Sequence, residues 1–160
     1  MYKSSNALDL SAYVYELRHG RGRVLILDNE EFTNVNLTRS GNQADVREIR
    51  KLLKSMNFAD RDIKQLHNGT ASEMREMLEE ESDDQELYNV DFMMCFIMSH
   101  GKRGDRILGT DENIVKLEYI KRLFNRDCCP GLKGKPKMFF IQACRGDTPE
   151  EDEVLFIDIK

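Results

Sequence analysis

The run VDFMMCFIMSH, residues 90–100, constrains the fold more than any other stretch of the chain. Its apolar residues are continuous and do not alternate with polar ones. A strand with one face in water would alternate, so this run predicts a central strand covered on both faces. Such strands belong to sheets with helices packed on either side. The rest of the chain should therefore supply further strands and amphipathic helices in turn.

It does. RVLILD (23–28) reads as a second buried strand, and NEEFTNVNLTRSG (29–41) as a loop. Ala44 or Val46, Ile49, Leu52, Leu53 and Met56 recur at helical spacing, which predicts an amphipathic helix over 42–56. IKQLHN (63–68) reads as a short strand closed by the turn pair Asn68-Gly69. Thr70 or Ser72 is placed to cap a helix whose apolar face carries Met74, Met77 and Leu78. The acidic run EEESDD (79–84) reads as that helix's solvated end and the loop beyond it. GKRGDRILGTDEN (101–113) is a Gly-rich loop with a small hairpin expected around Ile107-Leu108. Val115, Leu117, Ile120, Leu123 and Phe124 are the inner positions of a helix over 115–126. RDCCPGLKGKP (126–136) is a connector, and KMFFIQA (137–143) the last strong strand. A short helical piece is expected near Leu10–Leu17, and RHGRGR (18–23) as a solvated basic turn. The order strand, helix, strand, helix, strand, helix, strand implies an α/β layered fold with a largely parallel sheet and helices on both faces.

The 160 residues suit one domain. A net charge of −5 argues against a general nucleic-acid binder, which carries a basic face. No apolar stretch approaches the ~20 residues that cross a bilayer, so no membrane association is expected. The start MYKSSNALDL lacks the pattern of a signal peptide. With four cysteines and no such signal, free thiols in a reducing, cytoplasmic compartment are expected. Cys95, Cys128 and Cys129 have poor spacing for a tetrahedral zinc site, and no cofactor is expected. The Asn36-Leu37-Thr38 and Asn68-Gly69-Thr70 triplets and the two Arg-Gly-Asp tripeptides would matter only in a secreted protein.

In open α/β sheets the active crevice lies beyond the carboxyl ends of the strands. Two of the strongest strands end in reactive side chains, one in Ser99-His100-Gly101 and the other in Gln142-Ala143-Cys144-Arg145-Gly146. If the strands are neighbours, both groups emerge at one edge. A cysteine nucleophile acts as the thiolate and needs a base, which histidine supplies near neutral pH. Gly101 lets a backbone N–H approach an oxyanion, and the Cys144 N–H can be the second donor. Taken singly, a cysteine after a strand is more often a small buried residue, and a histidine a surface one. A non-enzymatic α/β binding module is the reading that follows from those ordinary roles.

QACRG (142–146) matches the caspase signature Q-A-C-[RQG]-G, which expects a histidine roughly 50 residues upstream, where His100 stands. The flanks SHG, DNEEF, TRSGNQAD and GKPKMFFIQACRGD agree. Over about residues 14–150 the chain resembles the large subunit of a caspase, closer to the initiator type. The resemblance implies a three-layer α/β/α fold completed by a small subunit outside this chain. The whole of 1–160 would be the large-subunit domain, with 1–13 a lead-in and 147–160 a tail in the processing region.

The activity implied is a thiol protease cutting after aspartate in apoptosis-type signalling, made as a zymogen. Cys144 would be the nucleophile and His100 the general acid/base. The Gly101 and Cys144 amides would form the oxyanion hole, and the Leu37 carbonyl would be the weak third member. Arg39 and Gln142 would grip the substrate carboxylate, a task suited to a guanidinium and a neutral donor. Ser99 would add a contact to the same pocket, and Arg145 would be an ion-pair residue. The implied partners are a small subunit, a second such heterodimer, protein substrates with Asp at the cut site, and other caspases or caspase inhibitors. Because the small subunit supplies a second arginine and the upstream pockets, the alternative is a caspase homologue that cannot cleave and regulates or decoys another caspase. The family sheet continues into that subunit, so an unpaired edge and an apolar patch are expected here. EVLFIDIK (153–160) is a candidate to extend along that edge or along a partner.

Overall fold

The structure is a computed structural model. It describes residues 18–143 and, as backbone alone, 154–158. The expected lead-in and the helical piece at Leu10–Leu17 lie outside the described residues.

Strand β1 (Gly22–Asp28) is buried along its whole length. Helix α1 (Asn42–Ser55) follows the loop, then β2 (Ile63–His67) and helix α2 (Ala71–Ser82). The central run forms β3 (Phe92–Met98). Next come three short strands, β4 (Gly101–Lys102), β5 (Arg106–Leu108) and β6 (Ile114–Lys116), and helix α3 (Leu117–Leu123). The sheet is completed by β7 (Lys137–Gln142) and β8 (Val154–Asp158). Its order is β2-β1-β3-β7-β8. The first four strands are parallel, and β8 pairs antiparallel with β7. The expected three-layer α/β/α architecture with a mostly parallel sheet is the architecture observed.

Period-two side chains divide the core. Leu25, Leu27, Met93, Cys95, Ile97, Phe139 and Ile141 face α2 and α3, where Met74, Leu78, Leu117, Ile120 and Phe124 complete one cluster. Val24, Ile26 and Met98 face the other way and meet Val46 and Leu53 of α1. Thr70 caps α2 in a capping box with Glu73, which satisfies two backbone donors at the helix start.

Several expectations are corrected. The second face of β3 is only part-covered: Met94 and Phe96 are half-buried, and Phe96 stacks on Phe140 at 4.8 Å. On that side Val46 and Leu53 of α1 share a small cluster with Val24, Ile26 and Met98, and Met94 and Phe96 pack at its margin. Leu52 and Met56 keep the helical spacing of α1 but turn outward, 53% and 46% exposed. The hairpin is a three-stranded antiparallel sheet, because Ile114–Lys116 add a strand where a helix start was expected. The acidic run is not wholly solvated. Glu81 is 1% exposed and pairs with Lys64 at 2.6 Å and Arg23 at 3.2 Å. Burial pushes its carboxyl up, against the pull of those two cations.

The basic turn is anchored too: the Asp91 carboxylate accepts the backbone N–H groups of Arg18, His19, Gly20 and Arg21. Burial raises the Asp91 carboxyl, but those donors hold it below its ordinary value. The outer edge of β7 is not bare, since residues 154–158 of the tail occupy it in the register Phe140↔Phe156. No helix of the described residues is long and apolar enough to cross a membrane.

Candidate active site

β3 and β7 are adjacent and parallel, with Met98 opposite Gln142 and Asp28 of β1 opposite Met98. Three strands therefore end level with one another. The segments that leave them carry the residues singled out above.

His100 stands two residues past the end of β3. Its Nε2 lies 2.7 Å from the carbonyl oxygen of Leu37. A carbonyl can only accept, so Nε2 carries the proton and Nδ1 keeps its lone pair. The buried ring of Phe32 packs against the imidazole with centroids 5.0 Å apart. Phe32 is a site residue that the sequence offered only as the last letter of DNEEF. No periodic pattern marks it, because it sits in a loop.

Arg39 is held in the same loop. Leu37 ends a short 3-10 turn whose start is capped by Asn34. Gly41, at φ 100°, then reverses the chain into α1, a conformation that favours glycine. The Arg39 guanidinium donates from Nη1 to the Asn29 carbonyl (3.1 Å) and the Asn42 side-chain oxygen (2.9 Å). From Nη2 it donates to Gln142 Oε1 (3.2 Å). Arg39, Gln142 and His100 together line an open cavity of about 510 Å³ with Thr38, Gly41 and Asp45. An always-charged guanidinium at the wall of such a cavity suits a carboxylate ligand.

Asn29, 1% exposed, ties the surrounding segments together. Its amide nitrogen donates to Ser99 Oγ (3.2 Å) and the Leu108 carbonyl (3.1 Å), and its oxygen accepts the Gly69 N–H (2.9 Å). Its own backbone N–H donates to the Met98 carbonyl.

Not every expected residue joins the cavity. Ser99 is buried, and its hydroxyl donates to the Leu108 carbonyl at 2.6 Å. The substrate contact expected of it is thereby corrected: alternation along the strand turns its side chain inward, to the junction with the hairpin. Gly101 opens β4 opposite Ile107, immediately after His100. Cys144, Arg145 and residues 147–153 of the tail lie outside the described residues. The other three thiols are free: Cys95 and Cys129 are buried and Cys128 is exposed. Burial raises the Cys95 and Cys129 thiols, which keeps them protonated and unreactive. Among the described residues no group of three His, Cys, Asp or Glu side chains could hold a metal ion.

Comparison with known proteins agrees with this architecture. The family model described as "Caspase domain" matches residues 21–156. The chain is 38% identical to Caspase-2 of Gallus gallus over 132 residues, 81% of this chain and 30% of that protein. It is 35% identical to Caspase-8 of Mus musculus, over 84% of this chain and 29% of the relative. Identity to Caspase-6 of Gallus gallus is also 35%, over 92% of this chain and 47% of the relative. The chain thus spans less than half the length of these relatives. With a caspase-domain match over most of its length and a largely parallel sheet whose strand ends hold His100, Arg39 and Gln142 at one cavity, the chain belongs to the caspase family of cysteine proteases.

Proposed function

We propose that this chain is the large, nucleophile-bearing part of a cysteine endopeptidase that cuts after aspartate, and that it becomes active when a small subunit completes the substrate pockets. The observation that carries this reading is the meeting of Arg39, Gln142 and His100 at one cavity, with His100 Nδ1 left as the basic nitrogen. Arg39 grips the carboxylate of the substrate aspartate, with Gln142 beside it. Nδ1 of His100 takes the thiol proton of Cys144, and the thiolate attacks the carbonyl carbon. The Gly101 and Cys144 amides stabilise the oxyanion. As the tetrahedral adduct collapses, the C–N bond breaks and His100 returns the proton to the leaving amine. A water molecule, deprotonated by the same nitrogen, then hydrolyses the thioester and frees Cys144.

In this reading residues 1–160 form one large-subunit domain of a cytoplasmic zymogen in apoptosis-type signalling. The mature form is a heterodimer that pairs with a second one. The half-buried faces of Met94, Phe96 and Phe140 are apolar surface for such a partner.

One observation favours the second reading, a caspase homologue that regulates or decoys another. β8 already occupies the edge of β7, where a partner strand would continue the sheet. Turnover of fluorogenic acetyl-peptides ending in Asp separates the two, measured with the chain alone, with a small subunit, and with a full caspase. Cleavage that needs the small subunit and is lost in Cys144→Ala supports the protease. Raised activity of the full caspase that survives Cys144→Ala supports the regulator.

A further inference from the structure

From Arg39 a chain of polar side chains runs to the surface, starting at Asn42, which lines the cavity beside it. The Asn42 oxygen accepts from Arg39 Nη1 at 2.9 Å, and the Asn42 amide nitrogen donates to Asp28 Oδ1 at 3.0 Å. Asn42 is 2% exposed and Asp28 1%. Asp28 also accepts from Gln65 Nε2 (2.6 Å) and from His67 Nδ1 (2.5 Å). The chain ends at Asn68, whose amide nitrogen lies 3.1 Å from His67 Nε2 while its oxygen accepts the Glu30 and Glu31 N–H groups.

The directions of the two bonds that Asn42 makes are set by its partners. A guanidinium only donates and an ionised carboxylate only accepts. Asn42 stands between one of each, so its amide has a single satisfactory orientation, with oxygen to Arg39 and nitrogen to Asp28. With no carboxylate at 28, the amide could turn its NH₂ toward the guanidinium and repel it. Asp28 in turn is aimed by donors from β2: the two strands are in register there, Asp28 opposite His67 and Ile26 opposite Gln65.

We propose that Asn42, oriented by the Asp28 carboxylate and its β2 partners, is a positioning residue that sets the Arg39 guanidinium for the substrate aspartate. This rests on the reading of Arg39 as the residue that binds that aspartate. The Asn42 oxygen is taken up by Arg39 and its amide nitrogen by Asp28, so its influence on the substrate runs through Arg39. Losing one charge-assisted hydrogen bond to a buried acceptor should weaken substrate capture without altering the chemistry at the thiol.

The test has two arms. In the assembled protease, Asn42→Ala should raise KM for an Asp-ending peptide about tenfold and leave kcat within about twofold. Asn42→Asp, which faces one carboxylate with another, should do at least as badly. The exchange Asn42→Asp with Asp28→Asn restores an acceptor toward Arg39 and a donor behind it, and should bring KM back to within about threefold. A KM for Asn42→Ala within twofold of the parent overturns the proposal, as does a loss confined to kcat. The second arm needs no turnover: the ¹⁵N signals of the Arg39 Nη groups, recorded in the chain itself. Held Nη groups give separate signals in the parent and should merge in Asn42→Ala. A parent that never cleaves but shows separate signals, merging in that variant, sinks the protease reading and keeps the positioning. Freely rotating Nη groups in the parent, or separate signals that persist in the variant, sink the positioning whatever the activity.

Discussion

His100 is bonded through its Nε2 to the carbonyl of Leu37, a residue of the loop that also carries Arg39. His100 and Arg39 are therefore positioned by one short segment. The contact uses the backbone of Leu37 and not its side chain. Leu37→Ala should keep kcat/KM within about threefold of the parent, whereas His100→Ala should lower it by about 10³, within the usual range for a general acid–base group. Steady-state assays of the two variants side by side check the contrast.

Among the described residues Arg39 donates to Asn29, Asn42 and Gln142 from a planar fork. A lysine ammonium cannot reproduce that fork. Arg39→Lys should cost about 2 kcal/mol of substrate binding, or roughly thirtyfold in kcat/KM, although the charge is kept. Retention of most activity would show that charge alone suffices.

Asp91 gathers four backbone N–H groups from residues 18–21. Burial pushes its carboxyl up, the donors outweigh it, and its folded value lies below the ordinary 3.8. Its contribution to stability is therefore fully present above the unfolded value. It is lost as the pH falls through the folded one. Asp91→Asn should lower the denaturation midpoint at pH 7 and flatten the decline in stability below about pH 4. Urea melts from pH 7 down to pH 3 read both effects.

Thiol labelling should sort the four cysteines. With iodoacetamide at pH 7.5, Cys144 should react well ahead of Cys128, and the buried Cys95 and Cys129 only on unfolding. Peptide mapping at early times gives the order. Equal rates for Cys144 and Cys128 would remove the case for an activated nucleophile and favour a binding module.

β8 covers one edge of the sheet. Truncation before residue 153 would leave β7 with unpaired backbone groups beside half-buried Phe140. The truncated chain should shift to larger species in analytical ultracentrifugation at micromolar concentration, relative to the full chain. An unchanged profile would mean that β8 does not protect that edge.

Much of this fold was legible in the sequence because buried parallel strands announce themselves. VDFMMCFIMSH (90–100) and KMFFIQA (137–143) are dominated by apolar residues, and the ends of both lie within two residues of the observed strands. Thr70, one of two expected caps, and the inner positions Leu117 and Ile120 of α3 were readable for the same reason, as local patterns. What was not legible depends on contacts across the chain. Nothing local says that Leu52 points outward while Leu53 points in, or that Glu81 is buried against Lys64 and Arg23. Ser99 next to His100 looked like part of the pocket until the hairpin placed the Leu108 carbonyl above it. Arg39 was recognisable only through the family resemblance. Asp28 and Asn42 fall in the quoted stretches DNEEF and TRSGNQAD, but nothing in those stretches links them to each other or to His67; the connection exists only once β1, β2 and the start of α1 are assembled.

Asn29 has one further consequence. Its side chain and backbone fasten the loop after β1, the end of β3, the hairpin and the turn after β2 to one another, and Arg39 leans on its carbonyl. Four segments distant in sequence thus share one anchor, and Arg39 at the cavity wall inherits its position from it; a group held in place before binding spares a ligand the entropy of ordering it.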